Sequence, residues 1–193
     1  MINKISSKVV EILIKHSLVE NEDKELYLYG FFILLSQILY FIIVITIGVL
    51  FNVIFESVIF YITFQFIRKY AGGYHAKTET RCEIFSTLSI LACIVAIKLS
   101  KTYDFQTVLL LITILSAVCI FIFCPLDTPE KPLSEKEFKY FRKVSWIVLL
   151  VISIAIIVSY FFKFNLLFAP CCISLIFESI LLVAGKIKKI MKI

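Results

Sequence analysis

The sequence predicts an all-α polytopic integral membrane protein, with about six transmembrane helices and two cytoplasmic loops, and three observations carry that prediction. Of its 193 residues 61% are hydrophobic and 18% charged, with a mean hydropathy of +0.98, whereas soluble domains run at about 45–50% apolar and about 25% charged. Apolar runs approaching the roughly 20 residues needed to cross about 30 Å of hydrocarbon recur along the chain, separated by short charged stretches. These runs lack period-two alternation, and backbone groups in lipid must be satisfied internally, so they are read as helices rather than barrel strands.

Residues 1–25 mix Lys4, Lys8, Glu11, Lys15, Glu20, Glu22 and Asp23 with short apolar stretches, so no cleavable signal peptide is expected. Ile5, Val9, Ile12, Leu13 and His16 recur near helical spacing. They predict an N-terminal amphipathic helix on the membrane surface, the alternative being a frayed polar leader. The spans read as about 30–51, 53–67, 84–99, 106–123, 146–162 and 166–184. The second, third and fifth are short, which leaves room for a re-entrant arrangement. The whole chain, 1–193, is read as a single membrane domain with loops at 68–83 and 124–145.

Orientation follows from the basic residues. With six crossings and the N-terminus inside, 17 of the 20 Lys and Arg residues fall on the cytoplasmic side, leaving Lys98, Lys101 and Lys163 outside. Both termini and both loops are therefore expected in the cytoplasm, with Lys186, Lys188, Lys189 and Lys192 facing an anionic leaflet. Topology accounts for the net charge of +6. No basic soluble domain or aromatic stacking platform accompanies that charge, so the lipid bilayer is an expected partner and nucleic acid is not. Cys82 and Cys124 fall at or near the cytoplasmic face and Cys93, Cys119, Cys171 and Cys172 inside spans. All six are expected as reduced thiols, the latter four as small apolar filler.

Chemistry concentrates in Arg68–Cys82, RKYAGGYHAKTETRC, which holds one of the two histidines, a Gly-Gly pair, and a cysteine seven residues beyond the histidine. Gly72 and Gly73 allow a sharp turn or a close backbone approach. Thr80 followed by Glu83 before an apolar run reads as a capping box, which starts the third helix at Thr80 and puts Cys82 in its first turn. The positive end of the helix dipole favours a thiolate there, while Glu79 and Glu83 oppose it. His75 can serve as the base. In one straight helix the two α-carbons would stand about 10.5 Å apart along the axis, so a loop from Gly72 to Glu79 that folds back is the arrangement that joins them. Spacing alone leaves catalysis, metal binding and structure open. Zinc needs three or four ligands, and only Glu79 and Glu83 lie near His75 and Cys82, so neither metal nor other cofactor is expected.

Arg68, Ala71-Gly72-Gly73, His75-Ala76 and Cys82 resemble the signature of the accessory gene regulator B (AgrB) family of quorum-sensing peptide processors. The loop CPLDTPEKPLSEKE, from Cys124 to Glu137, is similar to the family's Pro-x-Asp and Lys-Pro pattern. The resemblance covers nearly the whole chain. It implies a cysteine endopeptidase of the bacterial cell membrane in which Cys82 is the nucleophile and His75 its base. It further implies cleavage of the C-terminal tail of a small membrane-associated propeptide. Transfer of the acyl group to a Cys or Ser within that propeptide then gives a cyclic thiolactone or lactone autoinducing peptide, and the enzyme is expected to be a homodimer.

Supporting roles are open to Glu79, Gln65 or Asp127 as a third catalytic group. Arg68 could act on an acidic propeptide segment or on an oxyanion, with amides near Gly73, or serve only as a positive-inside anchor. Pro125, Asp127, Lys131 and Pro132 are expected to shape the propeptide site, against a solvated connector carrying a short helix. Glu56 and Glu178 are the ionisable residues expected within spans. Two competing readings are a peptide transporter or exporter, which lacks a visible inverted repeat, and a non-catalytic scaffold or sensor subunit.

Overall fold

The computed structural model describes residues 2–16, 18–74, 79–103, 105–127 and 133–191, and of Lys4, Asn21, Glu79 and Thr80 the backbone alone. Among the described residues all regular structure is helical: α1 (Ile2–Lys15), a 3-10 turn (Asn21–Asp23), α2 (Lys24–Leu50), α3 (Ile54–Ala71), α4 (Glu79–Thr102), α5 (Gln106–Phe123), α6 (Glu135–Phe161) and α7 (Asn165–Met191). Five of them, α2, α4, α5, α6 and α7, are long and apolar enough to cross a membrane. At 18 residues α3 rises about 27 Å, and it carries Glu56, Arg68 and Lys69.

The chain divides into two compact units, residues 1–43 and 44–193. In the first, α1 is helical as its periodicity predicts, with Ile5 and Ile12 of the expected apolar face exposed. An uncovered apolar stripe of this kind suits a membrane interface.

In the second unit α7 is the central helix, packed against α3, α4, α5 and α6. Every residue from Phe168 to Leu175 is buried, Pro170 included. The reason is compositional. A helix apolar on all sides can be enclosed, and Ala169, Ser174, Ser179 and Gly185 are small enough to let neighbouring backbones close in. Its polar atoms are spent internally, with Ser174 and Ser179 donating to Cys171 and Ile176 carbonyls. The core around it joins Ile67 and Ala71 of α3, Ile120 of α5, Leu149, Ile152 and Ile156 of α6, and Cys124 and Leu126 from the chain after α5. Leu111, Leu115, Leu150, Ile154 and Phe161 remain exposed, an apolar surface that lipid covers.

The start of α4 differs from the sequence expectation, and the stretch ahead of the fifth span takes a defined form. The helix expected to start at Thr80 already includes Glu79, so Thr80 lies inside α4 and not at its cap. Glu79 is a good helix former whose charge suits an N-terminus, which lets the helix run past the Thr80–Glu83 box. Cys82 stays in the first described turn. The residues ahead of the fifth span, which the alternative reading gave to a connector with a short helix, are the start of α6 itself, a continuous 27-residue helix. Its capping box is Ser134 with Glu137, the hydroxyl accepting from the Glu137 amide and the carboxylate from the Ser134 amide.

Candidate active site

The chain leaves α3 through Gly72 and Gly73, both at positive φ, +80° and +136°. Neither conformation suits a side chain, and neither position has room for one. A β-carbon on Gly72 would stand 2.8 Å from the Leu126 carbonyl oxygen, and one on Gly73 only 1.7 Å from Arg68 Nη1. Arg68 folds its guanidinium back over this turn. Nη1 donates to the Gly72 carbonyl at 2.7 Å and Nη2 donates to the Tyr74 carbonyl. Behind the guanidinium lies Glu178 of α7, fully buried, with Oε2 at 3.9 Å from Nη1.

Tyr74 is held at three further points. Its amide donates to the Leu181 carbonyl of α7 at 2.9 Å. Its ring packs on Phe85 of α4, centroids 5.6 Å apart, and Lys188 lies 5.7 Å from the ring centroid. Phe85 is three residues beyond Cys82, so the two share a helix face. Thus the residue that precedes His75 is fixed against the helix that presents Cys82, a half-buried free thiol.

The second loop docks at the same place. Leu126 donates its amide to the Ala71 carbonyl at 2.8 Å, capping the end of α3. Gly185 makes room for it. A β-carbon there would meet Leu126 Cδ2 at 2.5 Å and the Tyr74 nitrogen at 2.9 Å. Asp127 accepts from the Leu133 amide at 3.1 Å and pairs with Lys189 at 3.2 Å, while Lys189 also donates to the Asp127 carbonyl. Beside this contact a groove of about 830 Å³ opens between the ends of α5, α6 and α7, lined by Phe123, Leu126, Asp127, Phe138, Lys139 and Lys189 among others.

Of the residues singled out by sequence, Arg68, Gly72 and Gly73 form one constellation, and Asp127 lies next to it through Leu126. Gln65 donates its amide to the Tyr61 hydroxyl one turn back on α3 at 2.8 Å. His75, Lys131, Pro132 and the Glu79 side chain lie outside the described residues. All six cysteines are free thiols. Cys124 is buried at the end of α5, and burial pushes its thiol up, against the opposing pull of Ser145 and Arg142. No cluster of three or more metal-ligating side chains occurs among the described residues. Tyr74, Gly185 and Lys189 had no sequence signal beyond position. Glu178 had one, a carboxylate in an apolar span, but not its partner.

The family description Accessory gene regulator B matches residues 6–182. The chain is 30% identical over 186 residues to AgrB-like protein 2 of Clostridium perfringens, covering 92% of this chain and 87% of that one. It is 32% identical over 113 residues to accessory gene regulator protein B of Staphylococcus intermedius, 58% of each chain. It is 30% identical over 129 residues to protein FsrB of Enterococcus faecalis, 66% of this chain and 52% of that one. No solved structure matches it significantly.

Proposed function

The chain belongs to the accessory gene regulator B family of quorum-sensing systems, and from that premise we propose that it is a membrane cysteine endopeptidase that also cyclises its product. The Cys82 sulfur attacks the carbonyl carbon at the start of a propeptide's C-terminal tail. His75 takes the thiol proton and returns it to the departing amine, so that the tail leaves as a free peptide and the remainder stays as a thioester on Cys82. A Cys or Ser side chain of the same propeptide then attacks the thioester carbonyl. Cys82 leaves as thiolate and regains the proton given up by that side chain, and the product is a thiolactone or lactone.

One observation carries this reading: Tyr74, adjacent to His75, is pinned to α7 through its amide and to the Cys82 face of α4 through its ring. Anchoring the preceding residue in this way shortens the search by which His75 finds the thiol. The groove bordered by Lys139 and Lys189 offers the propeptide a place beside the thiol's end of the bundle. The basic residues gathered there, Arg68, Lys186, Lys188 and Lys189, favour placing that end in the cytoplasm. The site would act as a homodimer in the bacterial cell membrane.

The test uses wild type, Cys82→Ala and His75→Ala in lipid nanodiscs. The substrate is the small peptide encoded beside this gene, if it carries an amphipathic leader, a central Cys or Ser and an acidic tail. Either substitution is expected to lower cleavage by at least about 100-fold while the protein remains inserted. Wild-type cleavage by either variant overturns the proposal.

A further inference from the structure

One face of α7 carries four residues at helical spacing, Glu178, Leu181, Gly185 and Lys188, and each meets the turn that leads to His75. Glu178 faces the Arg68 guanidinium, the Leu181 carbonyl takes the Tyr74 amide, Gly185 admits the Gly73–Tyr74 backbone, and Lys188 lies near the Tyr74 ring. The stripe follows i, i+3, i+7, i+10, the repeat of a single helix face.

Glu178 is the member whose presence packing does not explain. Its side chain is 0% exposed, and neither carboxylate oxygen has a hydrogen-bond partner among the described residues. A carboxylate in such a place is costly, and an apolar residue of similar volume would pack as well. Its counter-charge is Arg68, which is committed elsewhere by two hydrogen bonds to the carbonyls of Gly72 and Tyr74. A guanidinium has five donors in one plane, so it can bridge two carbonyls and still turn an edge toward a carboxylate. Lysine has no such fork.

We propose that Glu178 is a positioning residue: its buried carboxylate holds the Arg68 guanidinium across the Gly72 and Tyr74 carbonyls and so fixes where the chain delivers His75. This rests on the reading of His75 and Cys82 as the catalytic pair. Glu178 touches no reacting atom. It acts through Arg68, and Gly73 is required because the guanidinium occupies the space a β-carbon would fill.

Two readouts test it on the full chain in nanodiscs. Hydrogen–deuterium exchange of the Tyr74 amide needs no substrate, because that amide is bonded to Leu181. It is expected to be slow in wild type and at least about tenfold faster in Glu178→Gln, with amides in the middle of α5 unchanged. Cleavage of the same propeptide should show kcat at least about tenfold lower and KM within about threefold, as expected for a misplaced base rather than lost binding. Glu178→Asp should recover part of both. Arg68→Lys, which keeps the charge and loses the fork, should accelerate Tyr74 exchange as Glu178→Gln does, and the double variant should be no worse than the poorer single. Arg68→Lys also serves should Glu178→Gln fail to fold. Unchanged Tyr74 exchange in the variants, or additive losses in the double variant, overturns the proposal. If Cys82→Ala still cleaves, the catalytic reading fails while Tyr74 exchange continues to report on Glu178.

Discussion

The two ends of the helical bundle formed by residues 44–193 are fastened differently. At the end away from Cys82, helices follow one another through tight turns, with Asn52 and Lys163 in the left-handed region at φ 56° and 57°. Gly48 and Ser159 accept the amides of Val53 and Phe164 across those turns. The cross-links there run from side chain to side chain: Lys101 with Glu56 ties α4 to α3, and Gln106 with Asn165 ties α5 to α7. At the Cys82 end, beside the Arg68–Glu178 and Lys189–Asp127 pairs, the links run to backbone: Arg68 to the Gly72 and Tyr74 carbonyls, Tyr74 to Leu181, Leu126 to Ala71. One end joins helix to helix and the other fixes connecting chain onto helices. Damage at the first should therefore appear as lost stability, and damage at the second as lost activity.

Gly73→Ala should give the largest effect. The new β-carbon would meet Arg68 Nη1 at 1.7 Å at a φ of +136°. Left-handed strain of about 1–2 kcal/mol then adds to overpacking of about 1–3 kcal/mol, and the cheapest relief is to expel the guanidinium from its two carbonyls. Propeptide cleavage is expected to fall by at least about 100-fold. Gly30→Ala is the control, because nothing lies within 4 Å of a β-carbon there and alanine favours a helix interior by about 1 kcal/mol. It should cleave at the wild-type rate. Equal losses from both substitutions would show that the effect of Gly73→Ala is not specific to the turn it occupies.

Lys101→Met probes the other end. Glu56 is buried while the lysine is 40% exposed, so the substitution leaves a largely buried carboxylate without its partner. A fully buried pair broken this way loses about 3–5 kcal/mol. Partial exposure of Lys101 reduces that to about 1–3 kcal/mol, seen as earlier unfolding in a denaturant titration of the detergent-solubilised protein. The protein that remains folded should cleave with unchanged kcat. A selective loss of kcat would show that this end also governs the site.

The fold was legible because lipid imposes a simple rule, that long apolar runs are helices, and α5 falls at 106–123 as read from sequence. The shifted start of α4 has a physical origin. Ser/Thr-x-x-Glu patterns stand at the start of both α4, at Thr80, and α6, at Ser134, and pattern alone cannot say which is used as a cap. At Ser134 both reciprocal hydrogen bonds form, whereas at Thr80 the helix continues through the box. Within the site, Arg68, Gly72 and Gly73 stood out because charge at a span end and paired glycines are local signals. Tyr74, Gly185 and the pairing of Arg68 with Glu178 did not, since each depends on α7 returning to α3 about 110 residues later in the chain.

Asp127 supplies the smallest and most discriminating test. Its carboxylate links Lys189 at the end of α7 to the Leu133 amide just before α6, and sequence had offered it as a third catalytic group. Both partners of the ion pair are well exposed, 48% for the Lys189 side chain and 39% for that of Asp127, so the charge contribution is worth about 0–1 kcal/mol and salt screens it. Lys189→Ala should therefore slow cleavage by no more than about threefold, and less at high salt. Asp127→Asn keeps an acceptor for Leu133 and should match it. Asp127→Ala loses that acceptor too and should be somewhat slower. If Asp127→Asn instead abolishes cleavage while Lys189→Ala does not, the carboxylate is serving the reaction itself. The boundary between fastening and chemistry would then run through this residue.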